Sequence, residues 1–443
     1  MEKNIRIAAE DNCLKIHSSY AGYRNCIEGI LKEDKHLEKG NLEMLLSLLG
    51  NPQEKLKFIH IAGTNGKGSV AAMLSSVFTA AGYQTGLFVS PGISAVNDRF
   101  RVNGNRISDE ELIALAKQVQ QAAETVKGRF CEFELMMCVG FLYFLKNQCD
   151  IVVLETGIGG KKDCTNIIPN KEVAVITSVG YDHTELLGNT LREIASEKSG
   201  IILPNGAVVC GVLPKEAEME VLQQVKQANA EAVFVKETEL QFLGTKDHLQ
   251  LLSYGEWKNV ALSLLGYQQL INGAVVLEIC KLLQNKKWNI PEVAIRYGLS
   301  HTIWEGRMEL LCHKPLVLLD GAHNPESAAM LKKNLDFYFS NKNVIYVIGM
   351  MKDKNKAEVL QTLLPGCKAA IAVTLPGPRG EQGEILQDMM KEYCQNCSYN
   401  VTMKRALIFA EAMCGEQDMI CICGSLYLIQ EAREYYKAGG YLD

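Results

Sequence analysis

Several shortages narrow what this chain does. Its net charge is −5, and no run of lysines is interleaved with aromatics, so neither a global nor a local basic field is offered to nucleic acid. No uninterrupted apolar stretch reaches the length of a membrane span. The start, Met1-Glu-Lys-Asn-Ile-Arg-Ile-Ala8, lacks the apolar core of a signal peptide. Only one C-x-x-C occurs, Cys394-Gln-Asn-Cys397. Zinc would need a second pair, and Cys421-Ile-Cys423 lies inside an apolar run, so no metal is expected there. The cysteines number 15, an odd count, and they are scattered through strand-like and helix-like segments. That pattern fits reduced thiols, so a cytoplasmic protein is expected. No repeat, low-complexity tract or long linker is visible. Nothing argues for an interface, and a monomer is the expectation.

What remains is ordinary globular material. With 443 residues, 47% hydrophobic and 22% charged, the chain has room for two or three domains with full cores. Short apolar runs alternate with helical periodicity. Phe58–Ala62, Gly86–Val89, Ile151–Leu154, Ala174–Ser178 and Ala207–Cys210 read as buried strands. Glu110–Val126, Glu134–Lys146 and Thr190–Gly200 read as helices. The order implies an α/β fold with a mostly parallel sheet and helices on both faces. Leu240–Leu265 switches to strand-like alternation and reads as a small antiparallel appendage, followed by helices near Leu270–Leu283 and Glu292–Tyr297. A second series then begins with strands Pro315–Leu319, Val344–Ile348, Ala369–Val373, Tyr399–Met403 and Met419–Ile422. Helices Glu326–Leu335, Glu381–Tyr393 and Leu426–Tyr436 separate them. The expected organisation is a large, mostly parallel domain over 1–299 and a smaller doubly wound, Rossmann-like domain over 300–443. Ligands of such sheets sit beyond the carboxyl ends of the strands.

The most informative string is Gly63-Thr64-Asn65-Gly66-Lys67-Gly68-Ser69. It follows the apolar run Phe58–Ala62 and precedes a helix-like stretch, Val70–Ala81. Glycines let backbone N–H groups face one oxyanion, and the helix N-terminus adds partial positive charge. Lys67 can reach the outer phosphates, and the Ser69 hydroxyl can face magnesium. The spacing departs from G-x-x-x-x-G-K-[ST], because position 61 is Ile61 and Gly68 separates lysine from serine. A glycine-rich turn with a solvated lysine is the alternative.

Other candidates fall at further strand ends. Ser90 in Phe88-Val-Ser-Pro-Gly92 can offer a hydroxyl to a metal, or simply make a turn. Glu155 opens a glycine-rich stretch ending at Asp163, a setting suited to magnesium; its alternative is pairing with Lys161 or Lys162. His183 in Asp182-His-Thr184 is a candidate metal ligand beside these two. Lys198 lies in a helix's last turn, where favouring the dipole is reason enough for it. Arg307 enters a strand and Asp320 leaves one, placed to reach a polyphosphate and a ribose. In Asp320-Gly-Ala-His-Asn324-Pro325 the alternative is a helix start, with Asn324 as cap and Pro325 first in the helix.

Taken together these strings resemble the Mur ligase superfamily, and within it folylpolyglutamate synthase/dihydrofolate synthase. The resemblance runs from about Tyr23 to Leu428. Its landmarks are Leu49-Gly-Asn-Pro52, His60 through Ser69, Leu154-Glu-Thr-Gly-Ile-Gly-Gly160, Asp163-Cys-Thr-Asn166, Asp182-His-Thr184 and Glu197-Lys-Ser-Gly200. Asp320 through Pro325, Gly349-Met-Met-Lys-Asp353 and Cys423-Gly-Ser-Leu-Tyr-Leu428 complete the series in order. The resemblance implies an ATP-dependent ligase coupling L-glutamate to a folate or to dihydropteroate through an acyl phosphate. It implies that Gly63–Ser69 hold the ATP phosphates, that Ser90, Glu155 and His183 surround magnesium, and that Lys198 matches a lysine the family carbamylates. It puts Asn272, Arg307 and Asp320 on the nucleotide. Glu134, Lys162, Asp163 and Cys164 fall where the pterin-bearing substrate approaches, and His323 joins the substrate contacts. Catalysis is expected to centre on Lys67, Lys198 and His183, with the domains closing on ATP and pterin.

Four positions depart from the family: Gly92 stands where histidine is usual, Lys161 for arginine, Met137 for threonine and Glu305 for proline. They touch the folate pocket rather than the nucleotide machinery. Two other readings are a ligase for cell-wall precursors and a nucleotide-binding paralogue without ligase activity. Only 62 residues precede Gly63, fewer than the nucleotide-sugar domain that cell-wall ligases commonly carry there would need.

Overall fold

In the computed structural model the described residues are 22–31, 39–92, 95–126, 128–246, 249–377 and 379–439. The N-terminal segment 1–8 lies outside them. They form two compact units: 22–263 with Gln269–Ile303, and Leu264–Gln268 with 304–439. No helix among the described residues is long and apolar enough to cross a membrane, and their fourteen cysteines are free thiols.

The first unit is built on eight strands: β1 (Phe58–Ala62), β2 (Thr85–Phe88), β3 (Phe100–Val102), β4 (Asn105–Arg106), β5 (Ile151–Glu155), β6 (Lys171–Ile176), β7 (Ala207–Cys210) and β8 (Glu231–Phe234). Their order across the sheet is β4-β3-β2-β5-β1-β6-β7-β8. All pairs from β2 to β8 are parallel, while β3 and β4 add an antiparallel edge. The central strands are apolar without alternation because both faces are covered: every residue of β1 and of β5 is buried. Edge-on ring pairs, Phe58 with Phe141 at 5.6 Å and Phe88 with Phe100 at 5.5 Å, fill one side of the sheet.

The helix Lys67–Ala80 follows β1 directly. The helix Glu292–Ser300 presses on its back so closely that a Cβ on Gly298 would lie 2.5 Å from Val77 Cα, and Ser76 Oγ donates to Gly298 O at 2.8 Å. A small antiparallel sheet of the same unit, β9 (Leu240–Lys246), β10 (Leu249–Tyr254) and β11 (Trp257–Leu262), takes the order β11-β10-β9. Its Leu252 and Leu262 touch the helix Tyr267–Asn285 at Gly273.

The second unit carries β12 (Glu309–His313), β13 (Leu316–Leu319), β14 (Asn343–Ile348), β15 (Ala369–Val373), β16 (Cys397–Asn400) and β17 (Asp418–Cys423). The order is β12-β13-β17-β14-β15-β16, parallel except for β12. From β13 the chain runs on through β14, β15 and β16, then turns back to place β17 between β13 and β14. Reversals of strand order open the crevice at strand ends that doubly wound sheets use for ligands. The expectation of a strand over Tyr399–Met403 is corrected: the strand is Cys397–Asn400, and Met403 begins the helix Met403–Met413. Thr402 takes the cap position, its hydroxyl accepting from Arg405 N at 3.4 Å, so the β-branched pair Val401-Thr402 ends the strand.

Gly298→Ala is expected to destabilise the first unit by about 1–3 kcal/mol, because the added methyl meets backbone with nowhere to turn. Chemical denaturation measures it, and a variant as stable as the parent would contradict the packing described.

Candidate active site

Four neighbouring parallel strands, β2, β5, β1 and β6, bring their carboxyl ends side by side, and Gly63–Ser69, Ser90, Glu155 and His183 follow those ends, while Glu134, Lys198 and Asn272 lie on helices. After β1 the chain turns through Gly63–Gly66. The turn is stitched to the segment leaving β6: Thr64 N donates to Ser178 O at 2.9 Å, and Asn65 N to Ser178 Oγ at 2.9 Å. Thr177 Oγ donates to Asn65 O at 2.6 Å, and Thr64 Oγ donates to Gly180 O at 3.1 Å. Gly63 is obligatory here, since a Cβ would sit 1.9 Å from Thr177 Oγ. Gly66 is left-handed, φ 85°, and caps the helix Lys67–Ala80. The first helical bond runs from Val70 N to Gly66 O at 2.9 Å. The N–H groups of Lys67, Gly68 and Ser69 therefore precede the ladder, free to face an anion. Lys67 Nζ folds back onto the loop, donating to Gly63 O at 2.9 Å and Thr64 O at 3.3 Å.

Asn272 closes the loop from outside: a Cβ on Gly66 would meet its Oδ1 at 2.7 Å. Asn272 Nδ2 donates to Gln269 Oε1 at 2.9 Å, and Gln269 Nε2 donates to Ser69 Oγ at 3.2 Å. All three side chains are buried. Gln269 was missed in the sequence, although it lies one turn before Asn272 on the same helical face. Thr177 and Ser178 were passed over too; their only signal is a pair of hydroxyls at a strand's end.

Ser90 and Glu155 are brought together. Glu155 is 5% exposed, and its Oε2 accepts from Ser90 N at 3.2 Å. Arg99 Nη1 donates to Ser90 Oγ at 3.0 Å, a neighbour that no sequence signal marked. His183 sits beyond β1 on the loop after β6, left-handed at φ 49°, with Nε2 3.8 Å from Asp182 Oδ2. A hydroxyl and a buried carboxylate are hard oxygen donors, which suits magnesium or manganese. Among the described residues no cluster of three or more His, Cys, Asp or Glu could hold a metal ion. An ion here would therefore draw further oxygens from phosphate and water.

The glycine loop after β5 packs onto the end of the helix Leu191–Ser199. A Cβ on Gly160 would lie 2.9 Å from the carbonyl oxygens of Glu197 and Lys198, and Lys161 N donates to Glu197 O at 2.6 Å. Lys198 is 3% exposed. It remains in the last turn of the helix, where the dipole reading put it, and its carbonyl meets the loop at Gly160. Lys162 is exposed and pairs with Glu197 Oε1 at 3.7 Å rather than with Glu155. Asp163 folds its own loop: Oδ2 accepts from Ile158 N at 2.8 Å, and Oδ1 from Thr165 N at 3.0 Å. Burial raises its carboxyl above the ordinary range while these bonds pull it back. Cys164 belongs to the apolar core, where burial holds the thiol protonated. Glu134 is 2% exposed and caps its own helix, Oε2 accepting from Cys131 N at 2.7 Å.

In the second unit Asp320 is buried at the end of β13, accepting from Met308 N at 3.0 Å and Ala322 N at 2.9 Å. Burial raises its carboxyl, and the Arg307 guanidinium opposes that rise. His323 Nδ1 lies 2.8 Å from Gly321 O. Asn324 caps the helix Pro325–Tyr338, its side chain accepting from Ser327 N at 2.8 Å. The helix-start reading of this string therefore holds, with Asp320 and His323 outside the cap. Neighbouring strand ends are laced by Asp320 N to Ile422 O at 3.0 Å and Gly424 N to Ala322 O at 2.9 Å.

This geometry agrees with what the chain is similar to. The Mur ligase middle domain matches residues 61–280, and the Mur ligase glutamate ligase domain residues 306–426. A dihydrofolate synthase/folylpolyglutamate synthase of Bacillus subtilis is 33% identical over 436 residues, covering 95% of this chain and 100% of the relative. The chain belongs to the dihydrofolate synthase/folylpolyglutamate synthase family. Among solved members of that family, Escherichia coli FolC in complex with DHPP and ADP superposes with a TM-score of 0.84 at 27% identity, covering 95% of this chain and 98% of that one. A bifunctional folylpolyglutamate synthase/dihydrofolate synthase of Yersinia pestis, complexed with AMPPNP and Mn, gives a TM-score of 0.80 at 25% identity, covering 93% and 96%. The departures from the family pattern have local settings. A Cβ on Gly92 would lie 2.3 Å from Ala95 O. Met137 is wholly buried. Lys161 abuts Gly200, whose Cβ would lie 2.3 Å from its own. Glu305 pairs with Arg433 at 3.2 Å, and Arg433 also holds Glu309.

Gly66→Ala is expected to weaken ADP binding about tenfold, because the left-handed turn costs an L-residue about 1–2 kcal/mol and its methyl displaces Asn272. Titration calorimetry reads this, and unchanged affinity would contradict the role given to the loop.

Proposed function

We propose that the chain is an ATP-dependent, ADP-forming ligase that couples L-glutamate to the carboxyl of a pteroyl substrate, a folate or dihydropteroate. The observation that carries the reading is the clamped loop Gly63–Ser69, with its unused N–H groups, on the same row of strand ends as Ser90 and Glu155. Family membership supports the substrate class. The substrate carboxylate attacks the γ-phosphorus of ATP, ADP leaves, and an acyl phosphate forms. The amine of glutamate then attacks the acyl carbon, and phosphate departs as the amide forms.

The N–H groups of Lys67, Gly68 and Ser69 hold the phosphates, and Lys67 leaves its loop carbonyls to meet the transferred group. Asn272 keeps Gly66 in its turn, and Arg307 and Asp320 are assigned to the nucleotide. Ser90, Glu155 and His183 are the side chains that would hold magnesium, which supplies charge neutralisation on the phosphates. Buried Lys198, carbamylated, would add a negative group beside the β5 loop. Glu134, Lys162, Asp163, Cys164 and His323 are assigned to the substrate side. A single chain as the working unit and a cytoplasmic setting complete the reading. Free thiols throughout the described residues suit a reducing compartment.

Purified chain given ATP, magnesium, glutamate and each pteroyl acid in turn is expected to yield ADP and glutamylated product by mass. Lys67→Ala should lower that rate on the order of a hundredfold. ADP formation at the parent rate by this variant would reject the assignment.

A further inference from the structure

One buried imidazole is unused by the reaction just described. His60 stands in the middle of β1, the central strand that delivers the phosphate loop, and is 0% exposed. Its Nε2 lies 2.9 Å from Thr165 Oγ. Thr165, also 0% exposed, is 2.5 Å from Asp163 Oδ1 through the same oxygen. An ionised carboxylate can only accept, so the Thr165 hydroxyl donates to Asp163, and its lone pair faces the imidazole. His60 must therefore donate from Nε2, which fixes its tautomer. Nδ1 is a buried nitrogen with no hydrogen-bond partner. A second proton there would face no protein acceptor, and burial, followed by the charge of Lys171, drives the imidazole well below its ordinary range. The relay thus has one direction, from the core of the sheet to the glycine loop.

We propose that His60 is a positioning residue for Asp163, acting through the Thr165 hydroxyl to aim the carboxylate and hold the loop Gly157–Asp163 in shape for the ring end of the pteroyl substrate. This rests on the folate-ligase reading of Asp163. Asp163 Oδ1 takes two hydrogen bonds from Thr165, one from N and one from Oγ, and Oδ2 takes one from Ile158 N. The hydroxyl bond alone is underwritten from inside the sheet. Without it the carboxylate keeps only loop amides, and the His60 N–H is left buried with no acceptor. The relay ties substrate recognition to β1, the strand that also sets the phosphate loop.

The test is steady-state kinetics of the full chain with Thr165→Val, Thr165→Ser and His60→Gln, varying dihydropteroate, tetrahydrofolate and ATP separately. Thr165→Val is expected to raise the KM of the pteroyl substrate about tenfold, the scale of one lost hydrogen bond to a charge. The KM of ATP and kcat should stay within about twofold. Thr165→Ser, which keeps the hydroxyl, should return the KM to near the parent value. An unchanged pteroyl KM in Thr165→Val, or a serine variant as impaired as the valine one, overturns the proposal. So does a parallel loss in ATP KM and kcat. Nitrogen NMR of the unaltered protein decides the geometry without activity or folding of a variant: His60 should show a protonated Nε2 and a bare Nδ1, and the opposite tautomer overturns the relay. If the unaltered protein glutamylates no pteroyl acid, the folate reading falls, while the tautomer still reports on the relay itself.

Discussion

Everything at the nucleotide end of the first unit depends on how one turn is held. Asn65 offers its carbonyl to Thr177 and its amide to Ser178, so the loop leaving β1 is sewn to the loop leaving β6. A phosphate loop works by aiming several N–H groups at one point, and glycines that permit such a turn permit many others. Flexibility alone would squander the binding free energy on ordering the loop at each encounter. The hydroxyls just beyond β6 and the Asn272–Gln269–Ser69 chain remove that freedom beforehand. The carbonyls that hold Lys67 keep its charge near the place where phosphate would arrive.

The second unit solves a similar problem with other parts. Its strand ends are laced by backbone bonds, and buried Asp320 gathers the N–H groups of Met308 and Ala322. A buried carboxylate is costly unless satisfied, and those two amides with the guanidinium of Arg307 offset part of that cost. In consequence the Arg307 turn is held from within the unit. Glu305 contributes from the other side through Arg433.

The fold was largely legible because parallel sheets announce themselves: β15 is an unbroken apolar run, β5 is one up to Glu155, and β1 is interrupted only by His60. Antiparallel alternation marked β9–β11 equally well. The failure at Tyr399–Met403 came from the β-branched pair Val401-Thr402, in which the threonine hydroxyl serves a helix cap, a use that strand propensity does not distinguish. Of the site, motifs written contiguously could be read, as with Gly63–Ser69 and Asp320–Pro325. What could not be read were partners fixed by sheet order. Nothing local to Arg99 reveals that it meets Ser90, and nothing near His60 reveals Thr165, 105 positions away. Lys198 shows the same limit. Its place at a helix end was visible, but its burial against the β5 loop follows from tertiary packing alone.

The most direct test of this account is amide NMR of the intact chain titrated with ADP and magnesium. The clamped loop predicts that the N–H signals of Lys67, Gly68 and Ser69 shift most and gain protection from exchange, while those of Thr177 and Ser178 move little because they are already in place. Nucleotide binding that left the Lys67–Ser69 amides unmoved and perturbed another strand end would contradict it.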